Sequence, residues 1–136
     1  MERYFATVLV VDDDEDVRSL AVATLHDAGY RSLPAPNGDI ALSMLQSGLT
    51  VDLLFTDIVM PGGLDGFTLA YEARLIQPDI KILYTTGFTN LSARGLARSV
   101  PAKMLNKPYR PSQLAAEVMR ALSEGDVHEE RAGQHA

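Results

Sequence analysis

Val8-Leu9-Val10-Val11-Asp12-Asp13-Asp14 is the stretch that decides the fold: an unbroken apolar run passes directly into three acids. Short runs of this kind read as strands buried on both faces, the pattern of a parallel sheet. Two later runs end in the same abrupt way. Leu53-Leu54-Phe55-Thr56 ends at Asp57, and Met104-Leu105-Asn106 ends at Lys107-Pro108. Ligands of an open α/β sheet bind just outside the carboxyl ends of its strands. These acids and the lysine, far apart along the chain, should therefore meet at one edge. Several carboxylates and one ammonium in a single crevice point to a divalent cation and a phosphoryl group.

Working outward, Thr7 to Val11 reads as the first strand. Asp14 can cap the following helix, with Glu15 and Asp16 in its first turn, where the helix dipole favours negative charge. Val17, Leu20, Ala21, Thr24, Leu25 and Ala28 fall on one helical face, and Gly29 is a stop signal. A weaker strand over Tyr30 to Ala35 leads through Pro36-Asn37-Gly38 to a helix carrying Ile40, Ala41, Met44 and Leu45, which ends near Gly48. The third strand is Val51 to Thr56. Met60-Pro61-Gly62-Gly63-Leu64-Asp65-Gly66 is a loop, because a proline and three glycines so close together forbid a regular element. Phe67, Ala70, Tyr71, Arg74 and Leu75 mark a third helix that Pro78 stops, and Ile80 to Thr85 is the fourth strand. The spacing predicts a short helix over 90–99, a fifth strand over Lys103 to Asn106, and a last helix from Pro111-Ser112 that turns Leu114, Ala115, Val118, Met119 and Leu122 inward. Five βα units joined by right-handed crossovers make an α/β sandwich with helices on both faces of a five-stranded parallel sheet. From Glu124 the composition turns polar and acidic, so the expectation is a domain over 1–123 and a disordered acidic tail over 124–136.

Bulk properties narrow the function. A chain of 136 residues is large enough for one self-sufficient core, and the absence of cysteine rules out disulfides, thiolate metal sites and a cysteine nucleophile. The net charge of -6 argues against a nucleic-acid surface. No apolar stretch approaches the roughly 20 residues that span a bilayer, and no signal peptide is read, so the expected location is the cytoplasm, away from membranes.

Taken together, these motifs closely resemble the receiver domain of bacterial two-component response regulators, over about Val8 to Leu122. The matching pieces are Asp12-Asp13 after the first strand and Asp57 after the third. Met60-Pro61 with Asp65-Gly66 follows, then Thr86-Gly87 after the fourth strand and Lys107-Pro108 after the fifth. Each alone is weak, but five in order, each at its own strand end, are highly specific. The resemblance implies the flavodoxin-like strand order 2-1-3-4-5. It implies a signalling phosphoacceptor, not an enzyme acting on other molecules, that catalyses only its own phosphorylation and dephosphorylation. Asp57 would take a phosphoryl group from a phosphohistidine as an aspartyl phosphate. Asp13 and Asp57 would ligate Mg2+ (or Mn2+) directly, Asp12 through water, and the Val59 backbone carbonyl would add an oxygen. Lys107 and the Thr86 hydroxyl would hold phosphoryl oxygens. Implied partners are a sensor histidine kinase or a histidine phosphotransfer protein, with a possible downstream protein. Mg2+ suits such a pocket because it is hard, favours carboxylate and carbonyl oxygens and keeps several waters. Lys107-Pro108 is also expected to be cis, as in the family.

Two departures stand out. The loop 60–66 is one residue longer than the commonest receiver form, and in this it is similar to receivers attached to hybrid histidine kinases and to some stand-alone, single-domain relatives. Where many receivers carry an aromatic three residues before the lysine, this chain has Met104, with Tyr84, Phe88 and Tyr109 nearby. Simpler readings account for other residues. Asp14, Glu15 and Asp16 serve the helix dipole, Asp65-Gly66 serves a turn, and His26, His128 and His135 are surface residues. An EF-hand beginning at Asp12 fails, since Val17 and Ala23 stand where glycine and glutamate are needed. Strand alternation lets one of Thr85 and Thr86 face the crevice, and Thr86, which precedes a small residue, is the choice. No helix-turn-helix follows Leu122. The alternative function is a haloacid-dehalogenase-type phosphatase using Asp12 with Asp14. That class wants Thr or Val where Asp16 stands, and a later acidic pair that the chain does not supply.

Overall fold

The structure, a computed structural model, describes residues 3–87 and 100–135. The strands are β1 (Thr7–Val11), β2 (Arg31–Ala35), β3 (Leu53–Asp57), β4 (Lys81–Thr86) and β5 (Lys103–Asn106). The helices among the described residues are α1 (Glu15–Asp27), α2 (Gly38–Gln46), α3 (Gly66–Ile76) and α4 (Pro111–His135). The strands form one parallel sheet, as the apolar runs predict, in the order β2-β1-β3-β4-β5 that the family resemblance implies. The helix expected over 90–99, and Phe88, lie outside the described residues.

Alternation along the strands separates two cores, one on each side of the sheet. Val8, Val10, Leu53, Phe55, Leu83 and Leu105 pack with Ala21 and Leu25 of α1 and Leu114 and Val118 of α4. Leu9, Val11, Leu54, Ile82 and Tyr84 pack on the other side with Ala41 and Leu45 of α2 and Leu69, Ala70 and Ala73 of α3. Each fully buried Leu or Val contributes about 1.5–3 kcal/mol, so the layers are held chiefly by these stripes. β2 lies at the sheet edge, where a strand tolerates Pro34, which pairs with Val10 in register.

Asp14 caps α1 as expected, and Asn37 and Asp65, read as turn residues, prove to be caps as well. Asp14 accepts from Val17 N–H at 3.1 Å, Asn37 from Ile40 N–H at 2.8 Å and Asp65 from Thr68 N–H at 2.7 Å. Gly29, with φ +100°, takes the left-handed turn that ends α1. The inward stripes are narrower than the apolar spacing suggests. Leu20, Ile40, Tyr71, Leu75 and Met119, expected inward, are exposed. The fully buried stripe is Ala21 and Leu25 in α1 and Ala41 and Leu45 in α2, and broader in α3, where Phe67, Leu69, Ala70 and Ala73 are all buried. β3 and β4 each start and end a residue or more later than predicted, which puts Asp57 and Thr86 inside the strands as their last residues. α4 runs on to His135, so no break in secondary structure marks the boundary expected after residue 123. Residues 124–135 continue the helical register with good helix formers such as Glu129, Glu130, Arg131, Ala132 and Gln134. Among the described residues no helix is long and apolar enough to cross a membrane.

Candidate functional site

Sheet register brings the strand ends level with one another. Val11 pairs with Thr56, Asp57 with Thr85, and Thr86 with Asn106, so the residues just beyond share one rim. Asp12 follows β1, Asp57 closes β3 between β1 and β4, and Lys107 follows β5. Lys107 Nζ lies 2.8 Å from Asp12 Oδ2 and 3.0 Å from Asp57 Oδ2. One carboxylate oxygen from each of Asp12, Asp13 and Asp57 lies within 4.8 Å of the other two. Asp12 and Asp57 are 3% and 5% exposed, whereas Asp13 faces solvent. The convergence expected of strand ends is thus present.

Each member is held from its backbone outward. Asp12 Oδ1 accepts from Asp14 N–H at 2.9 Å, and the Asp12 carbonyl accepts from Arg18 Nη1 at 2.8 Å. The Asp57 carbonyl accepts from the Thr56 hydroxyl at 2.9 Å, and Ile58 N–H donates to the Thr85 carbonyl at 3.0 Å. Gly66 N–H donates to the Ile58 carbonyl at 2.8 Å, and a Cβ at Gly66 would stand 2.3 Å from the Asp57 carbonyl oxygen. Only glycine lets the start of α3 approach the Asp57 backbone so closely. Lys107 N–H donates to the Thr86 carbonyl at 2.9 Å, and the Lys107–Pro108 bond is cis, as anticipated.

Burial pushes the Asp57 carboxyl above the usual range; Lys107 opposes the shift by hydrogen bond and charge, and Asp12 and Asp13 add to it. Lys107 is raised as well: burial lowers it, but its hydrogen bonds and charge pairing with Asp12 and Asp57 win. Tyr109 packs edge-on against Phe55 at 5.8 Å, its buried hydroxyl has no partner among the described residues, and burial pushes its pKa to about 12. Three carboxylates facing one ammonium leave an excess of negative charge in a partly dry pocket. All the donors are hard oxygens, and the exposed Asp13 leaves room for water. That set fits a divalent cation of the Mg2+ kind.

Of the other predicted residues, Thr86 is buried at the end of β4, and Val59 is an exposed residue of the loop two positions past Asp57. Thr85 is also buried, and its hydroxyl has no partner among the described residues. Asp14, the second acid that the phosphatase alternative requires, is spent on capping α1. Arg18 was missed, and Gly66 and Tyr84 were named without the contacts they make. Arg18 reaches back to the acid pair from α1, and Gly66 packs on Asp57. Tyr84 donates to the Val100 carbonyl at 3.0 Å and packs edge-on to Phe67 at 5.1 Å. Arg18 left a readable signal, because helical side chains lean toward the helix N-terminus, here the acids.

Comparison with known proteins gives one consistent picture. The family model described as "Response regulator receiver domain" matches residues 8–119. The response regulator receiver protein CpdR of Brucella abortus is 38% identical over 116 residues, covering 85% of this chain and 95% of that protein. The sensor kinase CckA of the same organism is 37% identical over 123 residues, covering 89% of this chain but 13% of the kinase. A crystal structure of a response regulator receiver protein from Sinorhizobium medicae superposes with a TM-score of 0.79 at 31% identity, covering 88% of this chain and 96% of that one.

Proposed function

Because the chain belongs to the response regulator receiver domain family, we propose that Asp57 is the phosphoacceptor of a two-component phosphorelay, served by Lys107 and Thr86. The observation that carries this reading is the Asp57 carboxylate itself. It is buried at the end of β3, bonded to Lys107 and within 4.8 Å of the Asp12 and Asp13 oxygens. An Asp57 oxygen attacks the phosphorus of a phosphohistidine. The O–P bond forms, the P–N bond breaks, and its electron pair leaves with the imidazole. A carboxylate needs no general base, so the protein's task is positioning and charge stabilisation. Lys107, freed from Asp57 Oδ2 as that charge moves outward, turns its ammonium to a phosphoryl oxygen, and the Thr86 hydroxyl takes another.

Asp13, Asp57 and the Val59 carbonyl would hold Mg2+ directly. Asp12, whose oxygens already serve Lys107 and Asp14 N–H, would act through water. Bound Mg2+ supplies positive charge that offsets the acids and the transferred group. The donor would be a sensor histidine kinase or a histidine phosphotransfer protein in the cytoplasm. The phosphorylated form would then dock a downstream protein or pass the phosphoryl group on, as a population shift between two states.

Acetyl phosphate with Mg2+ tests this directly. The expected product is a slowly hydrolysed label on Asp57 that is absent from Asp57→Asn. An Asp57→Asn protein labelled as well as the parent would falsify the assignment, and a rapidly turned-over label on Asp12 would restore the phosphatase alternative.

A further inference from the structure

We propose that Arg18 is a positioning residue for the acid pair: through the Asp12 carbonyl, it sets the direction in which Asp13 is offered to a divalent cation. Asp12 is fixed on its own account. Its Oδ2 meets Lys107 Nζ at 2.8 Å, its Oδ1 accepts from Asp14 N–H at 2.9 Å, and its own N–H donates to the Ala35 carbonyl at 3.3 Å. Asp13 has nothing comparable. Its side chain is exposed, and no hydrogen bond to its carboxylate is present among the described residues, yet an oxygen of it lies within 4.8 Å of those of Asp12 and Asp57. Its orientation therefore comes from the backbone. The Asp12 carbonyl and the Asp13 nitrogen belong to one planar peptide, so fixing that carbonyl fixes the plane from which Asp13 departs. The side chain that fixes it is Arg18, with Nη1 at 2.8 Å from the Asp12 oxygen.

The Arg18 anchor is itself secure, since Arg18 N–H closes the first turn of α1 on the Asp14 carbonyl at 2.9 Å. Loop and helix thus form a ring in which α1 holds the peptide that aims Asp13. Planar guanidinium is suited to this, as its donors are fixed in direction where an ammonium's are not.

The inference rests on the reading of the acids as a Mg2+ pocket, and it makes a prediction opposite in sign to electrostatics. Arg18 places a positive charge beside the pocket, so removing it should tighten cation binding if charge alone mattered. A positioning role requires the reverse. The full chain is titrated with Mg2+ and followed by backbone amide shifts of residues 12–14 and 57, with melting temperatures measured alongside. Arg18→Met is expected to bind Mg2+ about tenfold more weakly, the size typical of lost outer support for a metal ligand. Its melting temperature should stay close to the parent's, because Arg18 is half-buried and outside both cores. Arg18→Lys, which retains charge and a donor, is expected to fall between the two. Parent-like or tighter binding by Arg18→Met, with the parent itself binding Mg2+, overturns the Arg18 proposal alone. A parent protein that binds no Mg2+ overturns it together with the functional reading.

Discussion

Replacing Asp57 by Asn should make the metal-free protein more stable, although on the proposed reading it should abolish phosphorylation. At an effective dielectric near 20, Lys107 at 3.0 Å attracts the Asp57 carboxylate by about 5.5 kcal/mol. Asp12, with an oxygen within 4.8 Å, repels it by about 3.5 kcal/mol or more on the same scale. Asp13 is exposed, so its repulsion falls toward the value in water, about 1 kcal/mol. Attraction and repulsion nearly cancel, and the cost of burying the charge decides the outcome, in agreement with the upward shift of Asp57. Asn keeps the shape and removes the charge while Lys107 keeps Asp12 as its partner, so no buried charge is left unpaired and the expected gain is about 1–3 kcal/mol at neutral pH. For a domain of this size each kcal/mol corresponds to roughly 3–6 °C in melting temperature. The pH dependence has a definite sign. With its folded pKa above the unfolded value, Asp57 binds its proton more tightly in the native state. The stability it contributes is present below the unfolded pKa and is lost as pH rises through the folded pKa. The advantage of Asp57→Asn should therefore be small in acid and full above the folded pKa of Asp57. Saturating Mg2+ should narrow it by stabilising the parent. Thermal melts followed by circular dichroism in EDTA, across a pH series, measure the effect. A variant that melts below the parent at pH 7 in EDTA refutes the charge balance argued above.

Gly66→Ala should cost about 1–3 kcal/mol by overpacking against the Asp57 carbonyl, and it should slow acetyl phosphate labelling by displacing that backbone; melts and labelling rates report both. The two buried tyrosines should respond oppositely to loss of the hydroxyl. Tyr84→Phe leaves the Val100 carbonyl without its donor and should cost about 1 kcal/mol, whereas Tyr109→Phe removes a hydroxyl with no partner among the described residues and should be neutral or stabilising in denaturant titrations. We also propose that the domain ends at residue 123: truncation after Ser123 should leave the melting temperature unchanged, and a lowered value would place part of 124–136 inside the folded unit.

The five strands and the convergence of Asp12, Asp13, Asp57 and Lys107 were legible because each depends on a local pattern, whereas the strand order was implied by the family resemblance. An apolar run that stops at a charge shows both that a central strand exists and where its functional end lies. The Asp14 cap was legible for the same reason, since Asp14 acts within its own first turn. What escaped was set between elements. Leu20, Tyr71, Leu75 and Met119 carry the right spacing yet stand exposed, because the width of a helix's contact strip depends on the neighbour it meets. Gly66 looked like turn chemistry, and Asp65 does cap α3; the close approach of Gly66 to Asp57 belongs to tertiary packing. Gln77, which ends α3, bonds Val51 N–H at 3.0 Å and the Leu49 carbonyl at 2.7 Å, a tie that no spacing rule would find.

The same alternation that separates the two cores also assigns the site residues to different layers. Counting by two from Val8 and Val10 reaches Asp12, from Leu53 and Phe55 reaches Asp57, and from Leu105 reaches Lys107, all in phase with the core beneath α1 and α4. Thr86 is in phase with Ile82 and Tyr84, whose side chains lie in the core of α2 and α3. A phosphoryl group on Asp57 that draws in the Thr86 hydroxyl would thus connect one layer with the other through β4. The next residue back along that face is Tyr84, fixed by Phe67 at 5.1 Å and by the Val100 carbonyl at 3.0 Å, and paired in register with Met104. An aromatic at position 104 would need the space beside that pair. Here a flexible Met104 packs against the core that holds Tyr84, so the aromatic of this region is carried by β4, on the strand of Thr86 itself. Strain arising at Thr86 then has a short covalent route to Tyr84 and, through its hydroxyl, to the segment that leads into β5.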